Sequence, residues 1–437
     1  DKALYANTDG WGNVAVGYLA LHDNTSGDGN VAMGYKALNA NTTADTNVAI
    51  GYEAMKINTT GTDNTAVGYK ALSANTAGAR NTAVGDGALD AANANDNTAV
   101  GYDALGANTT GSNNVAVGVY ALDSNTTGIK NIAIGNNCLD VNTTGSYNCA
   151  FGHQSMYANT TGSNNVAIGV AALDANTTAD DNVAIGHVAL TTNTTGNNNI
   201  GIGASALYSN TTGNNNVAIG RYAAISATTA NDNIAIGPYA GYDLTTGHAN
   251  TVMGSVALYE CTTGVHNVAI GPSALRNEAN SYNTAVGSAA LKFATTGQYN
   301  TAIGYGALGT GVVTGDNNVA MGYEALKDNT GGEQNVALGY RSLQTCTTGA
   351  SNQGVGHYTM ANLTTGGSNC AMGNSAGLEV TTGSNNIFLG NDAGRTASPS
   401  GSVTTGNNNV VLGDNNIANL YCADTSISSS DARDKTD

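Results

Sequence analysis

The side chains best suited to chemistry, histidine, cysteine and the carboxylates, are scattered along this sequence without the spacing of a reactive site. Of the six histidines, His153, His187 and His357 directly follow a recurring glycine, where tyrosine is commonest, which indicates surface variation. No cysteine forms a C-x-x-C pair or lies at zinc-ligand spacing from a histidine. Adjacent carboxylates such as Asp180 and Asp181 would point to opposite sides of an extended chain, unlike a glycosidase pair. We therefore expect no metal, no cofactor and no hydrolytic centre in this part of the protein.

The composition argues against several classes of partner. Charged residues make up 10% of the 437 residues, and the formal net charge is −17. This acidic excess argues against nucleic acid and anionic membranes, because both are themselves negative. No apolar run reaches the length of about 18 residues that a membrane span needs, so we expect no membrane insertion. The six cysteines are either small apolar filler or, alternatively, bridges between chains of an oligomer.

The elements that carry these side chains come from a repeat of about 17 residues, which recurs in 24 copies between Asn13 and Gly413. Each copy opens with Asn and closes a five-residue core with Gly. A fixed period over nearly the whole chain indicates a repeat architecture. Because the chain starts part-way through a repeat, we expect the natural protein to extend further toward its N-terminus. Representative Asn and Gly residues of the core are Asn13, Gly17, Asn30, Gly34, Asn165, Gly169, Asn267, Gly271, Asn386 and Gly390.

One unit, residues 30–46, illustrates how the repeat predicts structure. Val31 and Met33 alternate with Ala32 and Gly34, which is the period-two pattern of a strand with two different faces. The leading Asn residues are placed to stack coil upon coil in a hydrogen-bonded ladder, and the Gly marks a bend that a Cβ would obstruct. The recurring N-T-T-G sequence suits a turn. The segment between the Gly and the following Leu is either a second short strand or a tight bend.

These patterns predict an all-β fold, a parallel β-solenoid or β-roll of about 24 coils spanning residues 1–416. Burial of about three aliphatic side chains per unit, at roughly 1.5–3 kcal/mol each, makes a single thin coil marginal against the entropy of ordering it. Each unit also has two apolar faces. We therefore expect an oligomer in which one face fills the coil and the other lines a shared axis.

The N-x-V-A-I-G-like core resembles the head repeats of trimeric autotransporter adhesins and, equally, the repeat shafts of bacteriophage tail fibres. The adhesin repeat is shorter than the one found in this chain. The resemblance covers roughly residues 3–416 and implies parallel β-rolls, left-handed in the adhesins, assembled as trimers. It also implies a place in a virion tail fibre or, alternatively, outside the cell on a bacterial surface.

The end of the chain carries a second resemblance. After a predicted linker, residues 417–429, the string S-D-x-R-x-K in residues 430–437 is similar to the opening of the intramolecular chaperone domain of phage endosialidases. That domain helps trimeric fibres fold and then cuts itself off. By this match, Ser430 and Lys435 would form the self-cleaving dyad, in which a lysine of lowered pKa deprotonates the serine hydroxyl. A chance match in a polar C-terminus is the alternative.

The sequence thus favours a structural role over an enzymatic one: a trimeric tail-fibre shaft that takes part in host attachment. The expected partners are other copies of the chain, other tail proteins and a host-surface receptor, expected to be a glycan. A bacterial surface adhesin is the main alternative, and a polysaccharide-degrading tailspike is a weaker one. Tyrosines that follow the glycine either form an outward stripe suited to sugars or pack along the coils as spacers. These are Tyr18, Tyr35, Tyr52, Tyr69, Tyr102, Tyr305, Tyr323 and Tyr340.

Overall fold

A computed structural model describes residues 2–277, 280–398, 400–414 and 416–417 of the chain. The described residues contain 24 strands of three residues each, one per repeat, and no helix. Neighbouring strands pair in parallel, so the predicted all-β parallel solenoid with a 17-residue repeat is confirmed. The chain divides after Tyr299 into two compact units, each of which is a stack of such coils.

The strands of the first unit are β1 (Val14–Val16), β2 (Val31–Met33), β3 (Val48–Ile50), β4 (Thr65–Val67), β5 (Thr82–Val84), β6 (Thr98–Val100), β7 (Val115–Val117), β8 (Ile132–Ile134), β9 (Cys149–Phe151), β10 (Val166–Ile168), β11 (Val183–Ile185), β12 (Ile200–Ile202), β13 (Val217–Ile219), β14 (Ile234–Ile236), β15 (Thr251–Met253), β16 (Val268–Ile270) and β17 (Thr284–Val286). The strands of the second unit are β18 (Thr301–Ile303), β19 (Val319–Met321), β20 (Val336–Leu338), β21 (Gln353–Val355), β22 (Cys370–Met372), β23 (Ile387–Leu389) and β24 (Val410–Leu412).

Within each unit, every strand pairs with its sequence neighbours in strict register. Val166 faces Val183 and Ile168 faces Ile185, so identical repeat positions lie above one another. A repeat that is one residue short keeps the same register, because Thr82 still pairs with Thr98. The missing residue is therefore absorbed in the turns. Residues are named below by their position in the coil, with the leading Asn at position 1 and the residue before the next leading Asn at position 17.

The central and usually small residue of each strand faces into the coil, where it packs with Ala and Leu from the following bend, while the branched strand residues face outward. Ala167, Ala172 and Leu173, at positions 3, 8 and 9, are completely buried. A Cβ built on Gly201, at position 3, would lie 3.2 Å from Cδ1 of Leu190, at position 9 of the preceding coil. Positions 3 and 9 thus face each other across a narrow interior, which limits the combined volume of their side chains.

The segment after the recurring Gly is a bend and not a second strand. Ala171 and Leu173, at positions 7 and 9, have φ values of 51° and 53°, in the left-handed region. Backbone hydrogen bonds from this bend join adjacent coils, for example from the Leu173 N–H to the carbonyl of Ala189 at 2.9 Å. No β-branched residue occupies position 9 in the 23 coils that begin between Asn13 and Asn386, as expected for a residue held at positive φ.

Candidate functional site

The leading Asn residues form the hydrogen-bonded ladder that the sequence predicts. The Oδ1 atom of Asn165 accepts the backbone N–H of Asn182 at 2.9 Å, while the Asn165 N–H donates to Oδ1 of Asn148 at 3.0 Å. The Nδ2 atom of Asn165 donates to the carbonyl of Ala179, at position 15, at 2.9 Å. The side chain therefore closes its own coil and links it to the next one. Among the representative residues, Asn30, Asn165, Asn267 and Asn386 are completely buried, and Asn13 in the first coil is half-buried.

A second ladder runs through the Asn of the N-T-T-G sequence, at position 12. Asn159 is completely buried, and its Nδ2 donates to Oδ1 of Asn142 at 2.8 Å and to the carbonyl of Gly162 at 3.0 Å. The same carbonyl accepts Nδ2 of Asn148 at 2.8 Å. The sequence predicted only a turn here. The one feature of the sequence that indicated a buried role was the recurrence of Asn at this position, because other turn residues would also be compatible with a simple turn.

The recurring Gly lies where two coils come closest. Gly169 has a φ of 136°, and a Cβ on it would lie 2.5 Å from the carbonyl oxygen of Gly186 in the next coil. Both the backbone conformation and the close approach therefore require glycine. The same positive φ occurs at the other representative glycines, with 134° at Gly17, 139° at Gly34, 128° at Gly271 and 106° at Gly390.

The outer face of the strands is uncharged and mainly apolar, with Thr or Gln at position 2 in seven of the 24 strands. Position 4 is Val, Ile, Met, Leu or Phe in all 24 strands, and no charged residue occurs at position 2. Ile168 and Phe151 leave 39% and 53% of their surfaces exposed. When one face of a sheet is open to water, its residues are normally polar and alternate along each strand with the buried apolar residues. An exposed, mainly apolar surface of this kind is instead typical of an interaction site.

Aromatic residues at position 6 form columns beside this face. Tyr18, Tyr35, Tyr52 and Tyr69 stack with ring centroids 5.0–5.6 Å apart and near-parallel planes. In the second unit, His357 extends such a column by stacking on Tyr340 at 5.0 Å. Because the inner rings cover each other's faces, they offer mainly edges to the solvent, whereas sugar stacking needs an open face. This packing fits the spacer interpretation of these tyrosines and the surface-variation interpretation of His357.

The first unit also has a surface groove lined mainly by asparagine. This shallow groove of about 540 Å³ crosses positions 16 and 17 of consecutive coils. At position 16, the backbone N–H of Asn197 donates to Oδ1 of Asn214, and that of Asn214 donates to Oδ1 of Asn231, both at 2.8 Å. We call this feature the asparagine groove. Its lining residues are Asn197, Asn198, Asn214, Asn215, Asn231, Asp232 and His248.

Among the ionisable groups, Asp123 is the most perturbed carboxylate. Partial burial raises its pKa to about 6, and the neighbouring carboxylates of Asp140, Asp103 and Asp90 add to the effect. Asp63 shows the opposite behaviour, since hydrogen bonds from Thr46 and Thr62 hold the pKa of its carboxyl below the usual value.

The described cysteines are all free of disulfides. Burial raises the pKa of Cys138 and of Cys346 to about 12, which makes both thiols inert. Cys149 and Cys370 lie at position 2 on the outer strand face and are half-buried. The expectation of bridges between chains stays a prediction.

Two predicted segments are not covered by the structure. The proposed dyad residues Ser430 and Lys435 and the whole of segment 430–437 lie outside the described residues, as does the predicted linker 417–429 except for Ile417. Within the described ranges, no group of three or more His, Cys, Asp or Glu side chains could hold a metal ion. A search of those same ranges for a helix suited to crossing a membrane found none. Comparisons with known protein families and with curated proteins found no match for this chain.

Proposed function

We propose that this chain is a structural fibre protein, a segment of a homotrimeric tail-fibre shaft through which a bacteriophage attaches to its host. The observation that carries the proposal is the uncharged and mainly apolar outer face at positions 2 and 4 of the strands, where position 4 is apolar in all 24 strands. A chain with 14 basic and 31 acidic residues places none of them there. Covering this face removes apolar surface from water, at roughly 25 cal/mol per Å².

Other copies of the same chain are the partners that fit this face best. Its side chains recur at the spacing of stacked strands, about 4.8 Å, and a second identical stack has the same spacing over its whole length. A globular partner would match such a surface only locally. Three copies around one axis also give each face two neighbours and leave no copy with an unpaired surface, as closed symmetry requires.

The tail string around Ser430 favours a phage fibre over a bacterial surface adhesin, because the resembled chaperone domain belongs to phage fibres and spikes. The repeat by itself suits both classes. Determining whether any sequence follows Asp437 in the natural protein would separate them: a chaperone domain there would support the virus, and a membrane-anchoring β-barrel would support the bacterial surface. The proposed self-cleavage by Ser430 and Lys435 belongs with the phage interpretation.

The trimer is tested with charges placed on the outer strand face. Light scattering and native mass spectrometry of the purified chain should give three copies, whereas the double variant Ile168→Asp/Ile202→Asp should give smaller species. Asn113→Asp/Asn164→Asp adds the same charge at exposed position 17 and should leave the trimer intact. Far-UV circular dichroism establishes that each variant keeps its β structure. A wild-type protein that is a monodisperse monomer contradicts the proposal.

A further inference from the structure

We propose that the asparagine groove is a binding site for a neutral oligosaccharide. This inference rests on the proposed attachment function, for which it supplies a receptor site. The ladders and the apolar face recur in nearly every coil, as scaffolding must. The groove instead lies where Asn occupies both position 16 and position 17 of two successive coils, residues 197–198 and 214–215, a run that occurs nowhere else in the sequence. A local departure from a periodic surface is where a specific ligand contact belongs, because the scaffold does not require it.

The floor of the groove is rigid, and its rim is available. Two of the position-16 side chains are held through both their oxygen and their nitrogen. Oδ1 of Asn231 accepts the Asn214 N–H at 2.8 Å, and its Nδ2 donates to the carbonyl of Thr229 at 3.0 Å; Asn214 makes the equivalent contacts. The position-17 side chains of Asn198 and Asn215 are exposed. Within the described residues, the Asn198 amide has no hydrogen-bond partner, and Asn215 Nδ2 donates only to Oδ1 of Asp232 at 3.0 Å. A preorganised floor lowers the entropy cost of binding.

The chemistry of the rim selects the class of ligand. Each exposed amide presents donors and an acceptor side by side, which complements the adjacent hydroxyls of a sugar ring. The lining contains no lysine or arginine, so a phosphate or an acidic sugar would lack a counter-charge, and Asp232 would repel it. It also contains no aliphatic side chain, which argues against a lipid or an apolar peptide.

The size of the groove agrees with an oligosaccharide. Its volume of about 540 Å³ lies within the range of roughly 300–1,000 Å³ for small-ligand sites. It crosses three steps between coils, roughly 14 Å at about 4.8 Å per step, which is longer than a single sugar ring. His248 closes one end, exposed to solvent and in edge-to-face contact with His266 at 5.7 Å. It adds an imidazole, whose ring nitrogens can donate or accept hydrogen bonds.

The repeat provides a closely matched control for testing the site. Asn198→Ala/Asn215→Ala removes both rim amides, while Asn113→Ala/Asn164→Ala removes the same residue type from the same coil position outside the groove. Alanine is compatible with this position, because Ala249 occupies it with a φ of 56°. The four side chains are exposed, so neither variant should lose its β signal in circular dichroism.

The probe is a printed array of neutral glucan, mannan and galactan oligosaccharides beside sialylated and uronic-acid oligosaccharides. We expect the wild-type protein to bind a neutral member, the groove variant to bind it about tenfold more weakly or worse, and the control variant to stay within about twofold. Equal binding by the groove variant and the wild type, binding only to acidic sugars, or no binding to any printed sugar would each overturn the inference. The mass of the same preparation is measured in parallel. A monomer that binds through the groove refutes the trimeric fibre and not the site, whereas a trimer that binds elsewhere refutes only the site.

Discussion

The ring of Phe388 occupies the space that a side chain on Gly394 would need: a Cβ built on Gly394 would lie 2.5 Å from Cδ1 of Phe388. The two residues hold positions 3 and 9 of one coil, where most coils have Ala and Leu. Phe388 is completely buried, and it also lies over Gly377 of the preceding coil. The side-chain volume inside the coil is thus conserved: the large residue is at position 3 in this coil, whereas it is at position 9 in most others.

This exchange predicts a rescue between two substitutions. Phe388→Ala should destabilise the second unit by about 3–5 kcal/mol, because it leaves a cavity in a closed interior. Adding Gly394→Leu should recover most of that loss, since Leu173 adopts a φ of 53° at the same position and Gly394 has a φ of 77°. Gly394→Leu alone should clash with the ring. Urea unfolding of the four proteins measures the coupling, and strictly additive effects would contradict the proposed exchange.

The close approach of successive coils predicts that the recurring glycine cannot be replaced. Gly169→Ala should lower the free energy of unfolding by about 2–6 kcal/mol, from positive-φ strain together with a clash against the Gly186 carbonyl. Gly331→Ala is the matched control, because the nearest atom to its added Cβ is 3.7 Å away. Thermal unfolding compares the two. Similar melting temperatures for both variants would show that coils separate more easily than the structure indicates.

The Asn ladder predicts a pH-dependent effect of an isosteric substitution. Asn165→Asp removes the donor to the Ala179 carbonyl and buries a carboxylate beside it, so the folded-state pKa of the new group is raised. A raised carboxyl pKa contributes stability that is present below the unfolded value of about 3.9 and is lost as pH rises through the folded value. The variant should therefore be destabilised more at neutral than at acidic pH. Melting temperatures across the pH range test this.

The control for Asn165→Asp is the neighbouring substitution Asn164→Asp at exposed position 17. Asp181 occurs naturally at this position one coil later. We expect the melting temperature of that variant to follow the wild type at every pH. A flat pH response from Asn165→Asp would mean that the ladder tolerates an ionised carboxylate.

The raised pKa of Asp123 predicts a second pH effect, in the native protein. With a folded pKa of about 6, caused first by burial and then by Asp140, the neutral form is favoured. Its stabilising contribution is present below about pH 4 and is lost as pH rises through about 6. The full shift corresponds to about 3 kcal/mol, and solvent screening at a half-exposed group reduces this to about 1 kcal/mol.

Asp123→Asn should therefore raise the melting temperature above pH 6 and change it little below pH 4. Asp63→Asn should act with the opposite sign, since the pKa of Asp63 is lowered and its contribution is present at neutral pH and lost on acidification. Two variants with the same pH response would refute the assignment of these shifts to local environment.

Much of the fold could be predicted because the residue types that the fold requires recur at the same positions in 24 copies of the repeat. The Asn at position 1 and the Gly at position 5 mark the ladder and the close approach between coils, and the alternation between them marks the strand. What the pattern could not reveal was which strand face points inward, since Ala167 and Ile168 are both apolar. The second ladder, through Asn159, was likewise hidden behind an ordinary turn sequence.

The sequence by itself determined the repeating unit, its strand and the stacking of identical positions, because period and residue type are local properties that every copy restates. Only the tertiary structure decided that Leu173 fills the coil at positive φ while Ile168 faces outward, and that the amides around Asn198 and Asn215 share one groove. These outcomes depend on the distance across the coil and between its turns. Those distances are set jointly by residues that are far apart in the sequence, so they cannot be read from a single repeat.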